Sequence, residues 1–222
     1  MQMMDNANVV SENKKSKKEQ SFIYMFMKRV FDFISALIGV VVLFPIFIIL
    51  IALIKLDSEG PAVFGHKRIG KYGKSIKVYK FRTMVVNADE VFKNFTKEQK
   101  EEFAINFKLE NDPRITKIGS FLRKTSLDEL PQLFNILVGN MSVVGPRPIV
   151  EKEIEKYGEW ADKLFSVTPG LTGYWQANGR SDTTYEERVQ MDMYYVDNKS
   201  LILDIKIVFK TFISVLRKEG AM

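Results

Sequence analysis

The sequence predicts an α+β fold, mainly helical, with an N-terminal re-entrant membrane helix-break-helix, a small β-hairpin, and amphipathic helices at the membrane interface. Three observations carry that expectation. Phe33 to Ile54 contains no charged residue. Ile76 to Phe81 alternates with period two, as a half-buried strand does. Apolar residues recur at three- and four-residue spacing over much of the rest, the period of helices with one buried face.

Residues 1–20 are polar and rich in Lys, Asn and Ser, and residues 1–27 read as a basic flexible tail. The apolar run that follows is too long for a signal peptide and ends at no small-residue cleavage site. It reaches the ~20 apolar residues that a bilayer crossing needs. Two features favour a hairpin over a straight span. Pro45 removes a backbone hydrogen bond near the middle, where the helix should kink or break. Both flanks are basic, with Lys14, Lys15, Lys17, Lys18, Lys28 and Arg29 before the run and Lys55, Lys67, Arg68, Lys71 and Lys74 after it. Positive charge is retained on the cytoplasmic side, so both ends belong on that face. Residues 28–56 are then a re-entrant helix broken at Pro45, and residues 57–222 a cytoplasmic domain.

Pro61 to Met84 predicts the hairpin, with its turn at Gly70 to Lys74. Gly73-Lys74-Ser75 copies the end of a phosphate-binding P-loop. Arg68 stands where the earlier glycine belongs, and a strand follows where a helix is required, so it reads as a turn. Asn87 to Leu109 places Val91, Phe92, Phe95, Phe103 and Phe107 at helical spacing, for one or two surface helices. Asn111 to Arg114 is a turn. A short helix is expected over Ile118 to Arg123, and a second from Asp128 into Leu137, ending at Gly139-Asn140. A helix around Glu151 to Tyr157, a loop from Thr168 to Arg180, and a helix from Tyr185 to Tyr195 follow. Leu201 to Leu216 is a helix with a narrow polar face. It reads either as core-facing or as lying in the membrane interface with snorkelling lysines.

The chain is 46% hydrophobic and 27% charged, the balance of a folded rather than a disordered protein. Having no cysteine, it forms no disulfide or thiolate metal site. Its single histidine, His66, excludes a multi-His metal site within one chain and leaves triad-type catalysis only His66 to use. Chemistry must rest mainly on carboxylates, Lys and Arg. The net charge of +6 points to an anionic partner, without choosing among phosphate, nucleic acid and acidic lipid.

Thr125 to Gln132 is the most informative stretch. Ser126 and Glu129 fit a capping box, and Asp128 fits an N-cap, with Pro131 in the first turn where no hydrogen bond is lost. On the ordinary reading the acidic pair simply starts a helix. On the functional reading the positive helix end keeps Asp128 ionised and attracts a substrate phosphate. A carboxylate held there is a nucleophile toward phosphorus. Its neighbour can bind a divalent cation, best Mg²⁺, or steer a proton. Cations in constrained segments supply context. Arg147 lies between Pro146 and Pro148, and its planar guanidinium suits bidentate phosphate recognition. Arg180 ends a glycine-rich loop, where backbone can approach a ligand closely. Lys80 and Arg82 end the hairpin strand, and Arg123 precedes Asp128. Each alone has a surface salt bridge as its ordinary role; together they could neutralise a diphosphate. Tyr174 and Trp175 could stack on a base, core packing being the alternative. Asp89 and Glu90 form a second acidic pair, but in a charged helix without constrained cations, and read as surface.

Several motifs follow one another in a set order. They are Lys28-Arg29-Val-Phe-Asp32, Pro45 within the apolar run, Lys80-Phe-Arg-Thr-Met84, Ser126-Leu-Asp-Glu-Leu-Pro-Gln132, Gly145-Pro-Arg-Pro148, and Pro169-Gly-Leu-Thr-Gly173 with Gly179-Arg180. From Lys28 to about Gly220 the chain thereby resembles the bacterial sugar transferases, the monotopic polyprenyl-phosphate hexose-1-phosphate transferases of the undecaprenyl-phosphate galactose or glucose phosphotransferase kind. Ordered motifs are far more specific together than singly. The resemblance implies a monotopic enzyme on the cytoplasmic face of the bacterial plasma membrane, dependent on Mg²⁺. It implies transfer of a hexose-1-phosphate from a UDP-sugar to undecaprenyl phosphate with release of UMP, initiating exopolysaccharide, capsule or glycoconjugate assembly. It maps the catalytic dyad, which would also be the metal ligands, onto Asp128 and Glu129. Asp128 would attack the sugar-linked phosphate and carry a phospho-sugar intermediate. Lys80, Arg123, Arg147 and Arg180 match positions placed around phosphate, and Pro45 matches the membrane-helix break. Phe44 departs from the serine that some relatives have before the proline. Larger relatives carry additional N-terminal transmembrane helices, so this chain is expected to be the minimal catalytic form.

The partners so implied are a UDP-sugar, undecaprenyl phosphate, membrane lipids and a second copy in a homodimer, the oligomeric state being left open. Nucleic acid is not expected, because the positive charge is dispersed, interrupted by acids, and attached to no binding motif. The alternative is a membrane-tethered, non-catalytic scaffold of polysaccharide assembly, which need not keep Asp128, Glu129 and the loop arginines together. The sequence does not fix the sugar. The charged insert between Met84 and Asn111 is similar to that of galactose- or glucose-type relatives.

Overall fold

The computed structural model describes residues 2–106, 109, 112–179 and 183–216. It opens with one long helix, α1 (Gln2–Asp57). The expected tail over residues 1–27 therefore has helical backbone from Gln2 onward. No Pro or Gly precedes Gly39, and a helix once nucleated adds residues at little cost. Helical backbone also continues through Pro45, so the expected helix-break-helix is a single helix. Leu43, Phe47, Leu50 and Ile51, on either side of the proline, pack into one core cluster. That packing holds the turn in which Pro45 forfeits a hydrogen bond.

A hairpin follows, β1 (Val63–Ile69) and β2 (Ser75–Phe81), antiparallel around a tight turn at Lys71–Gly73. Its register pairs Phe64 with Lys80, His66 with Val78 and Arg68 with Ile76. Directly paired residues share a face, so His66 and Arg68 lie on the side of Lys80. Next come α2 (Ala88–Lys93) and α3 (Lys97–Asn106). The guanidinium of Arg114 lies 5.2, 5.1 and 5.0 Å from the rings of Phe92, Phe95 and Phe103, and so ties these two helices to the domain. Phe107, expected on the same face, lies outside the described residues.

After α4 (Lys117–Thr125), a 3-10 turn at Leu127–Glu129 leads to α5 (Gln132–Val138). The helix expected from Asp128 thus starts later, and Ser126 with Glu129 forms no capping box. Ser126 is instead the left-handed C-cap of α4, at φ 57°. Strand β3 (Ser142–Val144), α6 (Ile154–Tyr157), α7 (Ala161–Phe165), β4 (Gly170–Thr172), α8 (Tyr174–Asn178), α9 (Tyr185–Asn198) and α10 (Leu201–Leu216) complete the described chain. The expected loop from Thr168 to Arg180 therefore contains β4, paired in parallel with β3, and α8. A Cβ on Gly170 would lie 2.1 Å from Gly145 N, so this crossing requires glycine.

Helix α1 is built into the domain. Its buried positions Asp32, Ala36, Phe47, Leu50 and Ile54 fall on one helical face. On that face a Cβ at Gly39 would already touch Leu133 of α5, at 3.1 Å. The opposite face exposes Phe26, Ile34, Ile38, Val41, Val42 and Ile49. Polar contacts fix its apolar part on both sides. Lys28 Nζ meets Asp204 Oδ2 at 2.8 Å. Arg29 donates to Ile136 O and Leu137 O at 2.6 and 2.7 Å, carbonyls in the last turn of α5. Asp32 accepts from Ser142 Oγ and Val143 N at 3.0 and 2.9 Å. At the far end Asp57 accepts from Ile118 N at 3.0 Å, in the first turn of α4. Arg82 donates to the carbonyls of Pro61 and Ser58, both at 2.8 Å, and to that of Glu59.

Arg82→Met should lower the unfolding free energy by about 3 kcal/mol or more, because several carbonyls lose a charged donor in a buried place. Thermal unfolding in detergent micelles measures this. An unchanged Tm would mean that these carbonyls find other donors.

Candidate active site

Strand β2 delivers one cation. Ile76, Val78 and Lys80 share a face by period two, so its covered side ends in an ammonium. Asn135 of α5 holds the strand in place. Its side chain accepts from Tyr79 N at 2.9 Å and donates to Lys77 O at 2.7 Å, standing in for a third strand. Lys80 Nζ lies 2.7 Å from Glu129 Oε1 and 3.6 Å from Asp128 Oδ2. The two carboxylates therefore converge on one cation.

The dyad sits in the 3-10 turn just after Ser126, whose positive φ is uncommon for a residue with a side chain. Backbone outliers of this kind concentrate where geometry serves a site. Arg123 reaches across from α4, its Nε donating to Thr83 Oγ1 at 2.9 Å. Arg147 comes from the opposite side, with Nη1 3.9 Å from Glu129 Oε1. Its loop is anchored at both ends, since Gly145 N donates to Thr172 O and Ile69 N donates to Ile149 O, at 2.9 and 2.8 Å.

The two carboxyls differ in their surroundings. Burial pushes the Asp128 carboxyl above its ordinary pKa, with Lys80 opposing and the neighbouring Glu129 adding to the rise. Burial also penalises the Glu129 anion. There Lys80 and Arg147, with hydrogen bonds from Lys80 and Gln132, outweigh it and hold the pKa below the usual value. The sequence expectation that a positive helix end governs Asp128 is thus corrected, because α5 starts only at Gln132 and burial dominates. Glu129 is thus the more acidic partner, held so by its cations, and Asp128 the more basic one. Among the described residues, no three His, Asp or Glu side chains gather as a metal cluster.

Lys80, Arg123, Arg147, Asp128 and Glu129 come together as the sequence anticipated. Arg82 does not join them; it turns to the end of α1. Arg180 lies outside the described residues. Trp175 is half-buried, with the Arg188 guanidinium 4.8 Å from its ring centre, while Tyr174 pairs with Tyr194 at 4.7 Å. Asp89 and Glu90 are exposed on α2, as expected of a surface pair. Sequence reasoning missed Arg68, Gln132 and Gln176, which line one pocket with Lys80, Glu129 and Arg147. The hairpin register could have found Arg68, since it shares the face of Lys80.

The family model described as bacterial sugar transferase matches residues 23–218. An undecaprenyl-phosphate galactose phosphotransferase from Salmonella typhimurium is 48% identical over 199 residues, which are 88% of this chain and 42% of that protein. The UDP-glucose:undecaprenyl-phosphate glucose-1-phosphate transferase of Escherichia coli is 40% identical over 200 residues, 86% of this chain and 40% of its own. The chain thus spans about two fifths of the length of these two relatives. The exopolysaccharide production protein ExoY of Sinorhizobium fredii is 47% identical over 197 residues, 87% of each chain.

Any reaction that uses the Asp128 anion should weaken as pH falls through the pKa of that carboxyl. This pKa is raised, so the acidic limb of kcat/KM should lie above the usual carboxylate value. Lys80→Met removes the cation that opposes the rise and should move the limb further upward. Rate–pH profiles between about pH 4 and 8 measure both; a limb at the ordinary value in the wild type would exclude Asp128 as its source.

Proposed function

The chain belongs to the bacterial sugar transferase family, and on that premise we propose that it transfers a hexose-1-phosphate from a UDP-sugar to undecaprenyl phosphate, releasing UMP. The observation that carries this reading is the acidic dyad bridged by Lys80 and faced by Arg123 and Arg147. Carboxylates for nucleophilic attack and cations for a diphosphate meet at one place. The relatives named for undecaprenyl-phosphate sugar phosphotransfer support the acceptor and the donor class.

In this scheme a carboxylate oxygen of Asp128 attacks the sugar-linked phosphorus of the donor. The bond from that phosphorus to the bridging oxygen breaks, and UMP leaves with the electron pair. Partial desolvation raises the nucleophilicity of Asp128. Glu129 stays ionised and holds Lys80 and Arg147 toward the phosphates. The phosphate oxygen of the prenyl acceptor then attacks the aspartyl phosphorus, and the Asp128 carboxylate departs. The product is an undecaprenyl diphosphate sugar. Two converging carboxylates suit Mg²⁺, which takes one or two carboxylates together with substrate phosphates. Asp128 and Glu129 would hold the ion, which when bound supplies charge neutralisation at the diphosphate.

The prenyl acceptor requires a membrane, and α1 is apolar and long enough to enter one. We read α1 as re-entrant, with both ends on the cytoplasmic face. Lys28 and Arg29 before the apolar run and Asp57 after it contact the same domain, which supports this path. Pro45, unable to bond to Val41 O, is the point at which the bilayer would bend it. Helix α10 exposes Ile202, Ile205, Phe209 and Phe212, an apolar strip suited to the interface.

Two experiments test this function. With UDP-sugar and Mg²⁺ but no lipid, the enzyme should release about one equivalent of UMP per site, as a covalent two-step scheme requires. Intact mass should then show a hexose-phosphate on the Asp128 peptide, and Asp128→Asn should abolish it. Turnover with lipid but no burst and no adduct would favour direct transfer. Separately, cysteines placed at Ser11 and Ser75 should both label from the cytoplasmic side only. Labelling from opposite sides would establish a full span.

A further inference from the structure

The pocket beside the dyad holds more positive charge than its carboxylates serve well. Arg68, Lys80 and Arg147 all line it. Glu129 already faces two of them, Lys80 at 2.7 Å and Arg147 at 3.9 Å. Arg68 has only long contacts. Its Nη1 lies 3.4 Å from both Pro148 O and Glu153 Oε2, and its Nη2 lies 3.3 Å from His66 Nδ1. A well-made charged hydrogen bond is nearer 2.7–2.9 Å. A guanidinium cannot shed its proton to escape its neighbours. Burial, and then the charge of Arg147, lower the Arg68 pKa from its ordinary value, the mark of a cation with too little compensation.

We propose that Arg68 is a donor-binding residue that exchanges its contact with Glu153 for oxygens of the donor diphosphate. This rests on reading the chain as a UDP-sugar transferase. Arg68 stands on β1, opposite Ile76 of β2, so its backbone is fixed and only its side chain swings. Pro148 O, which it already touches, belongs to the loop that carries Arg147. The two guanidinia therefore approach the same volume from a strand and from a proline-bounded loop. Glu153 can release its partner and keep its place, because the same Oε2 accepts from Val150 N at 2.8 Å. The release leaves no stranded carboxylate.

The test compares wild type, Arg68→Gln, Glu153→Gln and the double variant, each as the full chain in detergent with Mg²⁺. Kd for UDP and for uridine is measured, together with donor KM and kcat. Arg68→Gln should weaken UDP binding by about tenfold or more, the value of a lost charged hydrogen bond. It should leave uridine binding unchanged and raise donor KM. Glu153→Gln removes the competing charge yet keeps an oxygen for Val150 N, so UDP binding should tighten. The double variant should match Arg68→Gln alone. UDP affinity unchanged in Arg68→Gln, or equal losses for UDP and uridine, overturns the proposal. If Arg68→Gln does not fold, Glu153→Gln decides alone, and unchanged or weaker UDP binding overturns it. A wild-type chain that neither binds UDP nor turns over UDP-sugar overturns the transferase reading itself, and this proposal with it.

Discussion

A helix ends with carbonyls that have no partner within it, and in α1 that need falls at the edge of the active site. Arg82 reaches Ile54 O in the last turn at 3.5 Å and donates to Ser58 O and Pro61 O in the segment just past the helix. The residues around Arg82 have other attachments. Lys80 reaches the acidic dyad. Phe81 enters the core against Phe47 of α1, ring centres 5.6 Å apart. Thr83 accepts from Arg123 through its hydroxyl and from Thr116 N through its carbonyl. Gly119 presses on that same carbonyl so closely that a Cβ would lie 2.1 Å from it. One short stretch thus joins α1, the core, α4 and the lysine that the two carboxylates share. Lys80 thus sits two residues from the arginine that holds the chain leaving α1.

The dyad gains its division of labour from this frame. Two adjacent carboxyls in one turn would titrate alike if their settings matched. Glu129 meets Lys80, Arg147 and Gln132 and is held ionised. Asp128 is shielded from water with a longer contact to Lys80, and its pKa rises. Environment, not residue type, moves the two carboxyl pKa values in opposite directions. The left-handed Ser126 leads into the 3-10 turn that carries both residues.

Much of this was legible in the sequence, for definite reasons. The hairpin showed because period two and a glycine turn are local signals. The dyad, Lys80, Arg123 and Arg147 showed because they sit in ordered motifs. Pro45 announced a break, yet packing on both sides of it carried the helix through. Strands β3 and β4 stayed hidden because three residues are too few for a period, and their pairing depends on the distant contact of Gly145 with Gly170. Arg82 shares a motif with Lys80 and reads as a candidate phosphate contact, and only the path of α1 reveals its other task. Arg68 counted merely as flanking charge until the strand register set it beside Lys80. The basicity of Asp128 depends on burial, which no local pattern reports.

The attachment of α1 bears on how this architecture can change over evolutionary time. Many membrane anchors are interchangeable, because any sufficiently greasy helix will serve and the catalytic part is indifferent to which. Here Lys28, Arg29, Asp32, Gly39 and Asp57 are all committed to the domain. An apolar helix of the same length but other sequence would lose those contacts, so α1 could not be exchanged without disturbing the domain that carries the acidic dyad.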